Sequence, residues 1–451
     1  MSWHAQVKAL EQENAILREA LAESQKRISE LERHVKYLEW IIRQYHNENT
    51  PSSKQPEWKK SPDRLNKQPA TQGKPVGAPG DTRPSPAIDE ERVIRLDDES
   101  YYGSPLDYVT RVVAEVAPLS PVRWTRFYLA RYIDPASGDV VTACYPDCPN
   151  VGTFGPNLRG MIVMLRERAN LSEQQTARFL QNLYGFDITA GTIEAELART
   201  ASALQPQYAA LGEAVNVAFV KHSDETGQSV NGKHWCVYCM STEQNTYMFA
   251  HEKKKADYIK QLLDHDQERV LVSDGHSIYD WYHAKQRCWS HATRKDTWLF
   301  DEKQTQERAF LHEVVSGTYK TATELIQKKP PGPEHVWDVL FLRNRIEQGA
   351  AYTWHDEPCR KVMNYMRNAL DDWFTFMLVP GVPPTNNLNE RDIRKHVMKR
   401  KNCGTFRSEQ GLLNHCVILS VLESWKKQGK NDHKTLISAL KAYNAKLNWA
   451  A

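Results

Sequence analysis

Residues 215–227, VNVAFVKHSDETG, decide how the rest of the chain is read. Val215 to Ser223 is a nearly continuous apolar run of strand composition that stops at an acid, Asp224. Asn231-Gly232 then gives a type I′ hairpin signal leading into HWCVYCMS, and NTYMFAHE supplies a third strand, so a meander is expected. Lys253 to Leu263 reads as a helix, and Arg269 to Ser273 (RVLVS) as another buried strand, ending at Asp274-Gly275. A helical crossover that returns to the same sheet makes its last strand parallel to one already there. Asp224 and Asp274 are therefore expected side by side at the carboxyl ends of neighbouring strands, in a fold of the α/β class.

A third acid comes from residues 383–407, PPTNNLNERDIRKHVMKRKNCGTFR. Thr385 is a good N-cap, and a helix is expected from Asn386 to about Lys401. At helical spacing Glu390, Ile393, Val397 and Lys401 share a face, which turns Glu390 toward the packed side. Two readings of it stand. One is a surface ion pair with Arg394 at i,i+4. The other is a metal-binding carboxylate, with Arg391, Arg394, Lys395, Lys399, Arg400, Lys401 and Arg407 gripping a polyanion around it.

Three crowded carboxylates repel one another unless cations neutralise them, and hard oxygen ligands suit two Mg²⁺ ions, with Mn²⁺ as a substitute. Such a pair activates a water or a 3′-hydroxyl for in-line attack on a phosphodiester. Each acid alone has a plainer reading, since Asp before Gly at a strand end is a routine turn residue and Asp-Glu-Thr-Gly can be a capped loop. His222 and His276 flank the aspartates, with metal or phosphate contact and simple packing both open. Cys236 and Cys239 form a CxxC, but strand alternation sends them to opposite faces.

The 451 residues carry a net charge of only +3, so a role with nucleic acid must rest on where Lys and Arg cluster. No apolar run is long enough to span a bilayer or form a signal core, and eight cysteines in so long a chain do not read as a disulfide framework. A cytoplasmic protein without a membrane partner is expected. Residues 1–46 carry a heptad, with Val7, Asn14, Leu21, Ile28, Val35 and Ile42 at a and mostly Leu at d, the pattern of a parallel coiled-coil dimer. Residues 47–98, rich in Pro, Ser, Gln and Lys, read as a disordered linker. Residues 99–155 read as a small α/β module holding Cys144 and Cys148. In 156–206 a Ser172/Gln175 capping box, a Gly185 break and a Thr189 cap suggest a helix-turn-helix-like module, although Glu194 and Glu196 on its last helix are unwelcome beside phosphates. Residues 301–380 read as helical throughout, and 381–451 close the chain with a basic tail.

Taken in order from about Val215 to the C-terminus, HSDETG, VLVSDGHSIYDWY, RCWSHATRK, PPTNNLNERDIR and KRKNCGTFRSEQG resemble the transposases of the insertion sequence 66 family. The resemblance implies a ribonuclease-H-like catalytic domain, here 207–300 and 381–451, split by the all-helical insertion 301–380. It also implies an Asp, Asp, Glu triad, carried over as Asp224, Asp274 and Glu390. Arg391, Arg394 and Lys401 fall where the family is basic, and His291 sits in the cysteine-tryptophan-histidine motif, another expected DNA contact. The family's zinc-ribbon cysteines are reduced to Cys144 and Cys148. The activity implied is metal-dependent strand cleavage and strand transfer on double-stranded DNA, at element ends and target, by a nucleoid-associated dimer with possible accessory proteins. The alternatives are a domesticated, non-cutting DNA-binding relative and a nuclease of the same fold that only hydrolyses.

Overall fold

The computed structural model describes residues 122–446 apart from 134–137, 139, 150 and 264–268, together with Ser24, Gln25, Ile28 and Glu32, which are helical. The coiled coil and linker expected over 1–98 otherwise lie outside the described residues.

β1 (Arg131–Ile133) and β2 (Val140–Thr142) pair antiparallel. α1 (Pro156–Val163) continues as a π-helical turn over Met164–Arg168. α2 (Glu173–Tyr184) opens on the reciprocal Ser172/Gln175 capping box and stops at Gly185, whose φ of 61° is left-handed and costs a Cβ-free residue nothing. Thr189 accepts from the Thr192 N–H and caps α3 (Ala190–Asn216), 27 residues long and continuous through Pro206.

The helix α3 corrects the reading of the apolar run 215–223. Val215 and Asn216 belong to the helix, and β3 (Val220–Val230) starts later and runs through Asp224-Glu225-Thr226-Gly227. The apolar character of Val215 serves the helix instead, which buries it against the sheet among Tyr238, Met240 and Leu271. Asn231 (φ 46°) and Gly232 (φ 77°) make the two-residue turn into β4 (Lys233–Ser241). β5 (Thr246–His251), α4 (Ala256–Leu262), β6 (Val270–Ser273) and β7 (Lys285–Arg287) follow. The five-stranded sheet has the order β5-β4-β3-β6-β7, antiparallel from β5 to β3 and parallel from β3 through β6 to β7.

From there the chain is helical: α5 (Trp289–Glu302), α6 (Gln306–Lys328), α7 (Val336–Ala351), α8 (Glu357–Arg367), α9 (Thr375–Leu378), α10 (Asn387–Cys403), α11 (Glu409–Lys427) and α12 (Asp432–Lys446). One face of the sheet packs on α4 through Cys236, Tyr238 and Ile259, and the other on α10 and α11 through Cys239, Ile393, Leu412 and Cys416. α5 to α9 build a separate core around Trp289, Trp373 and Phe374, joined to β6 by Val270 and Val272. Truncating either Trp to Ala would cost about 3–5 kcal/mol. α11 is sandwiched between the sheet and α1 to α3, which is why it is apolar nearly all round. Among the described residues no helix is long and apolar enough to cross a membrane.

Candidate active site

Parallel pairing of β3 with β6 matches Val220 with Val270 and His222 with Val272, and the same register carried two residues further sets Asp224 beside Asp274. Asp224 sits within β3, whereas Asp274 leaves the sheet as soon as β6 ends. There Gly275 takes φ 81°, and a Cβ at that position would meet the Arg287 side chain at 2.9 Å. The Asp274 carboxylate accepts from the His276 N–H (2.9 Å), and its main-chain carbonyl accepts from the Tyr365 hydroxyl of α8 (2.7 Å). Asp224 accepts from the Glu225 N–H (2.8 Å). Burial first, then the neighbouring Asp274 and Glu225, push the Asp224 carboxyl up to about 8, and Glu390 adds to the same effect. Glu225 has its own partners, the Tyr279 hydroxyl (2.6 Å) and Lys254.

Glu390 arrives on α10, whose start is fixed by one side chain. Asn386 is fully buried; its amide donates to the Ser223 carbonyl (2.9 Å), its side-chain oxygen meets His222 Nδ1 (3.0 Å), and its backbone N–H donates to Cys288 Sγ (3.1 Å). Burial pushes the His222 ring down to about 4, so it is neutral and Nδ1 carries the proton it donates. The helix end is thereby tied to the residue before Asp224 and to the start of α5. Asn386, not Thr385, is the N-cap residue.

The buried stripe of α10 is Asn389, Asp392, Ile393, His396 and Lys399, not the expected Glu390, Ile393, Val397 and Lys401. The reason is polar. Asn389 and Asp392 both accept from Ser241 (2.6 Å each), Asp392 also from Thr246 (2.9 Å) and Lys427, and His396 faces His415 (3.1 Å). Lys401 is exposed, and Glu390 is half-buried at the edge of the stripe. Its neighbours are His291 Nδ1 at 3.7 Å from Oε1 and Arg294 at 3.8 Å from Oε2. The Arg394 ion pair, one of the two readings of this acid, does not form. His291 thus stands against the acid from α5, one turn before Arg294. Both Glu390 Oε1 and His291 Nδ1 are buried without a hydrogen-bond partner.

A family model described as Transposase IS66 family matches residues 151–414. The chain belongs to this family. No curated protein matched it.

In this transposase the cations of α10, with Arg407 just beyond its end, divide into two groups. Arg391, Arg394, Lys395, Lys401 and Arg407 are exposed, and among the described residues none forms an ion pair. Arg400 is half-buried and donates to Thr226 Oγ1 (3.1 Å) and the Gly227 carbonyl, bracing β3 just past Asp224. Lys399 corrects the expectation of a polyanion contact: it is 2 % exposed, and its ammonium donates to Glu167 (2.6 Å) and the Arg166 carbonyl (2.8 Å). On α3, Glu196 is inside as well, paired with Arg159 (2.7 Å) and Arg199. Sequence reasoning passed over Cys288, Arg294, Asn386 and Tyr365. Cys-Trp-Ser-His at a helix start was the available signal for Cys288; Tyr365 reaches Asp274 from 91 residues away and left none.

Proposed function

We propose that the chain is a DNA transposase that cuts and joins strands at the ends of its element, using Asp224, Asp274 and Glu390 as its catalytic carboxylates. The observation that carries this is the parallel register of β3 and β6, which sets Asp224 beside Asp274, where burial and the neighbouring acids push the Asp224 carboxyl up to about 8. The order β5-β4-β3-β6-β7, with the acids on and just after the two central parallel strands, supports a ribonuclease-H-like catalytic domain into which α6 to α9 are inserted.

The residues fit a divalent ion. The donors are carboxylate oxygens, suited to Mg²⁺ or Mn²⁺, and Glu390 Oε1 is buried with no hydrogen bond of its own. When bound there, such ions supply the positive charge that polarises a phosphodiester and acidifies a water or 3′-hydroxyl. The chain's own residues do the rest. Asn386 and Arg400 hold β3 rigid on either side of Asp224, and Tyr365 with the His276 N–H holds Asp274. Arg391, Arg394, Lys395, Lys401 and Arg407 take the phosphates of duplex DNA as it crosses α10. The α2-turn-α3 module is read as a second DNA contact, and the heptad of 1–46 as the joint of a dimer working in the cytoplasm on nucleoid DNA.

The test uses DNA carrying the repeats that flank the gene. Asp224→Ala, Asp274→Ala and Glu390→Ala should each lower Mg²⁺-dependent cleavage about a thousandfold or more while DNA binding persists. A variant that cleaves near the wild-type rate removes its residue from the triad.

A further inference from the structure

We infer that Cys288, His291 and Glu390 form a second, softer metal site for a zinc-class cation, sharing Glu390 with the carboxylate triad. The ligand atoms of these residues all lie within 4.8 Å of one another. Around one Zn²⁺, with Zn–S roughly 2.3 Å and Zn–N roughly 2.0 Å, neighbouring ligand atoms stand about 3.3–3.8 Å apart. His291 Nδ1 and Glu390 Oε1 already meet that spacing at 3.7 Å, and the sulfur lies no more than 4.8 Å from its fellow ligand atoms.

Both atoms that face each other are buried without a hydrogen bond of their own. Burying a polar atom unpartnered costs about 1–3 kcal/mol, and one ion between them would relieve both. Arg294 lies on the other carboxylate oxygen and leaves Oε1 free. Cys288 is fully buried at the N-cap of α5, where the backbone N–H groups of Asn386, Ser290 and His291 face its sulfur. These N–H donors and the helix N-terminus would hold a metal-bound thiolate in place. On binding, the thiol proton leaves to solvent. The donor set of one sulfur, one nitrogen and one oxygen discriminates against Mg²⁺ and for Zn²⁺, and His291 and Glu390, each partly exposed, leave the fourth position open to water.

Glu390 cannot present Oε1 to both sites. Occupancy by Zn²⁺ therefore withdraws it from Asp224 and Asp274 and antagonises Mg²⁺, a consequence that rests on the function proposed above, whereas the site itself does not.

Metal-free full-length protein titrated with Co²⁺ as a Zn²⁺ probe tests the site directly. One equivalent should produce a thiolate-to-metal charge-transfer band in the near ultraviolet, abolished in Cys288→Ser and at least tenfold weaker in apparent affinity in His291→Ala. The pair Cys144→Ser and Cys148→Ser should keep the band, and His291→Ala serves if Cys288→Ser fails to fold. A wild type with no band, or a band unchanged in both Cys288→Ser and His291→Ala, overturns the site. In a parallel arm, Zn²⁺ should abolish Mg²⁺-dependent cleavage with the affinity seen in Co²⁺ competition. Cleavage that withstands saturating Zn²⁺ overturns the antagonism. A wild type that never cleaves overturns the proposed function and leaves the Co²⁺ band to decide the site.

Discussion

Two of the buried or half-buried charges of α10, Lys399 and Glu390, meet different fates. Near its C-terminal end Lys399 enters a closed cluster in which Glu167 accepts from Lys399 (2.6 Å) and His415 (2.7 Å), with all three within 5 % of full burial. Burial pushes the Glu167 carboxyl up, yet the ammonium and the ring, by charge and hydrogen bond, hold it well below the usual carboxylate range. Near the N-terminal end Glu390 adds its charge to those of Asp274 and Glu225 around Asp224, where burial first and like charge second drive the Asp224 carboxyl up to about 8. A carboxylate buried against a fixed ammonium and a ring N–H is a joint, here between α10, α11 and the π-turn after α1. Half-buried carboxylates crowded together with too few cations form, on the function proposed above, a site that awaits one from outside.

The largest effect expected from this contrast is on stability. Glu167→Ala strands the Lys399 ammonium without a counter-charge and His415 without its acceptor, and should cost roughly 3–5 kcal/mol in denaturant unfolding. Asp224→Asn, removing a charge that its neighbours repel, should cost nothing or stabilise. Equal losses in the two variants would erase the distinction.

A smaller effect follows from pH in the absence of divalent ions. The folded value of Asp224 is raised above its unfolded value of roughly 3.9. Its contribution is then fully present below about pH 4 and is lost as pH rises through about 8. Wild type should lose up to about 4 kcal/mol relative to Asp224→Asn between pH 5 and pH 9. Glu167, lowered in the fold, has the opposite sign: its contribution is present above roughly pH 4.3 and fades only as acid is added. Parallel curves for wild type and Asp224→Asn would remove the strain assigned to that carboxyl.

The smallest effect separates two cations on one helix. Arg394→Gln should lower the slope of log K against log[salt] for duplex DNA by roughly 0.9, and Lys399→Gln should leave the slope alone while lowering stability. A slope change in Lys399→Gln would mean that Glu167 releases it to the phosphates.

What could be read from the residues was local. The Asn231-Gly232 turn, the Ser172/Gln175 capping box and the Gly185 stop are set by neighbours within four positions, and each is present as the side chains demand. So was the strand parity that sends Cys236 and Cys239 into different cores. The start of β3 was not legible, because Val215, Val217 and Phe219 suit a helix end and a strand equally, and contact with Tyr238 and Leu271 decides for the helix at Val215. The facing of α10 was illegible for a stronger reason. Its buried stripe is largely polar, and its partners Ser241, Glu167 and Lys427 come from elements far away in the chain, so hydrophobic periodicity pointed to the wrong face. At the site, acids could be marked at strand ends. That His291 and Arg294, not Arg394, stand against Glu390 depends on how α5 and α10 meet, which Asn386 fixes through Ser223 and Cys288.

The central claim is that the Asp224, Asp274 and Glu390 end of the sheet lacks a cation that the Glu167 cluster already has. Thermal unfolding of the full-length protein with and without Mg²⁺ tests this most directly. At an ion concentration of about ten to a hundred times the dissociation constant, wild type and Glu167→Gln should gain about 1–3 kcal/mol. Asp224→Asn and Asp274→Asn should gain nothing. Equal gains in wild type and Asp224→Asn, or no gain in wild type, would contradict the account.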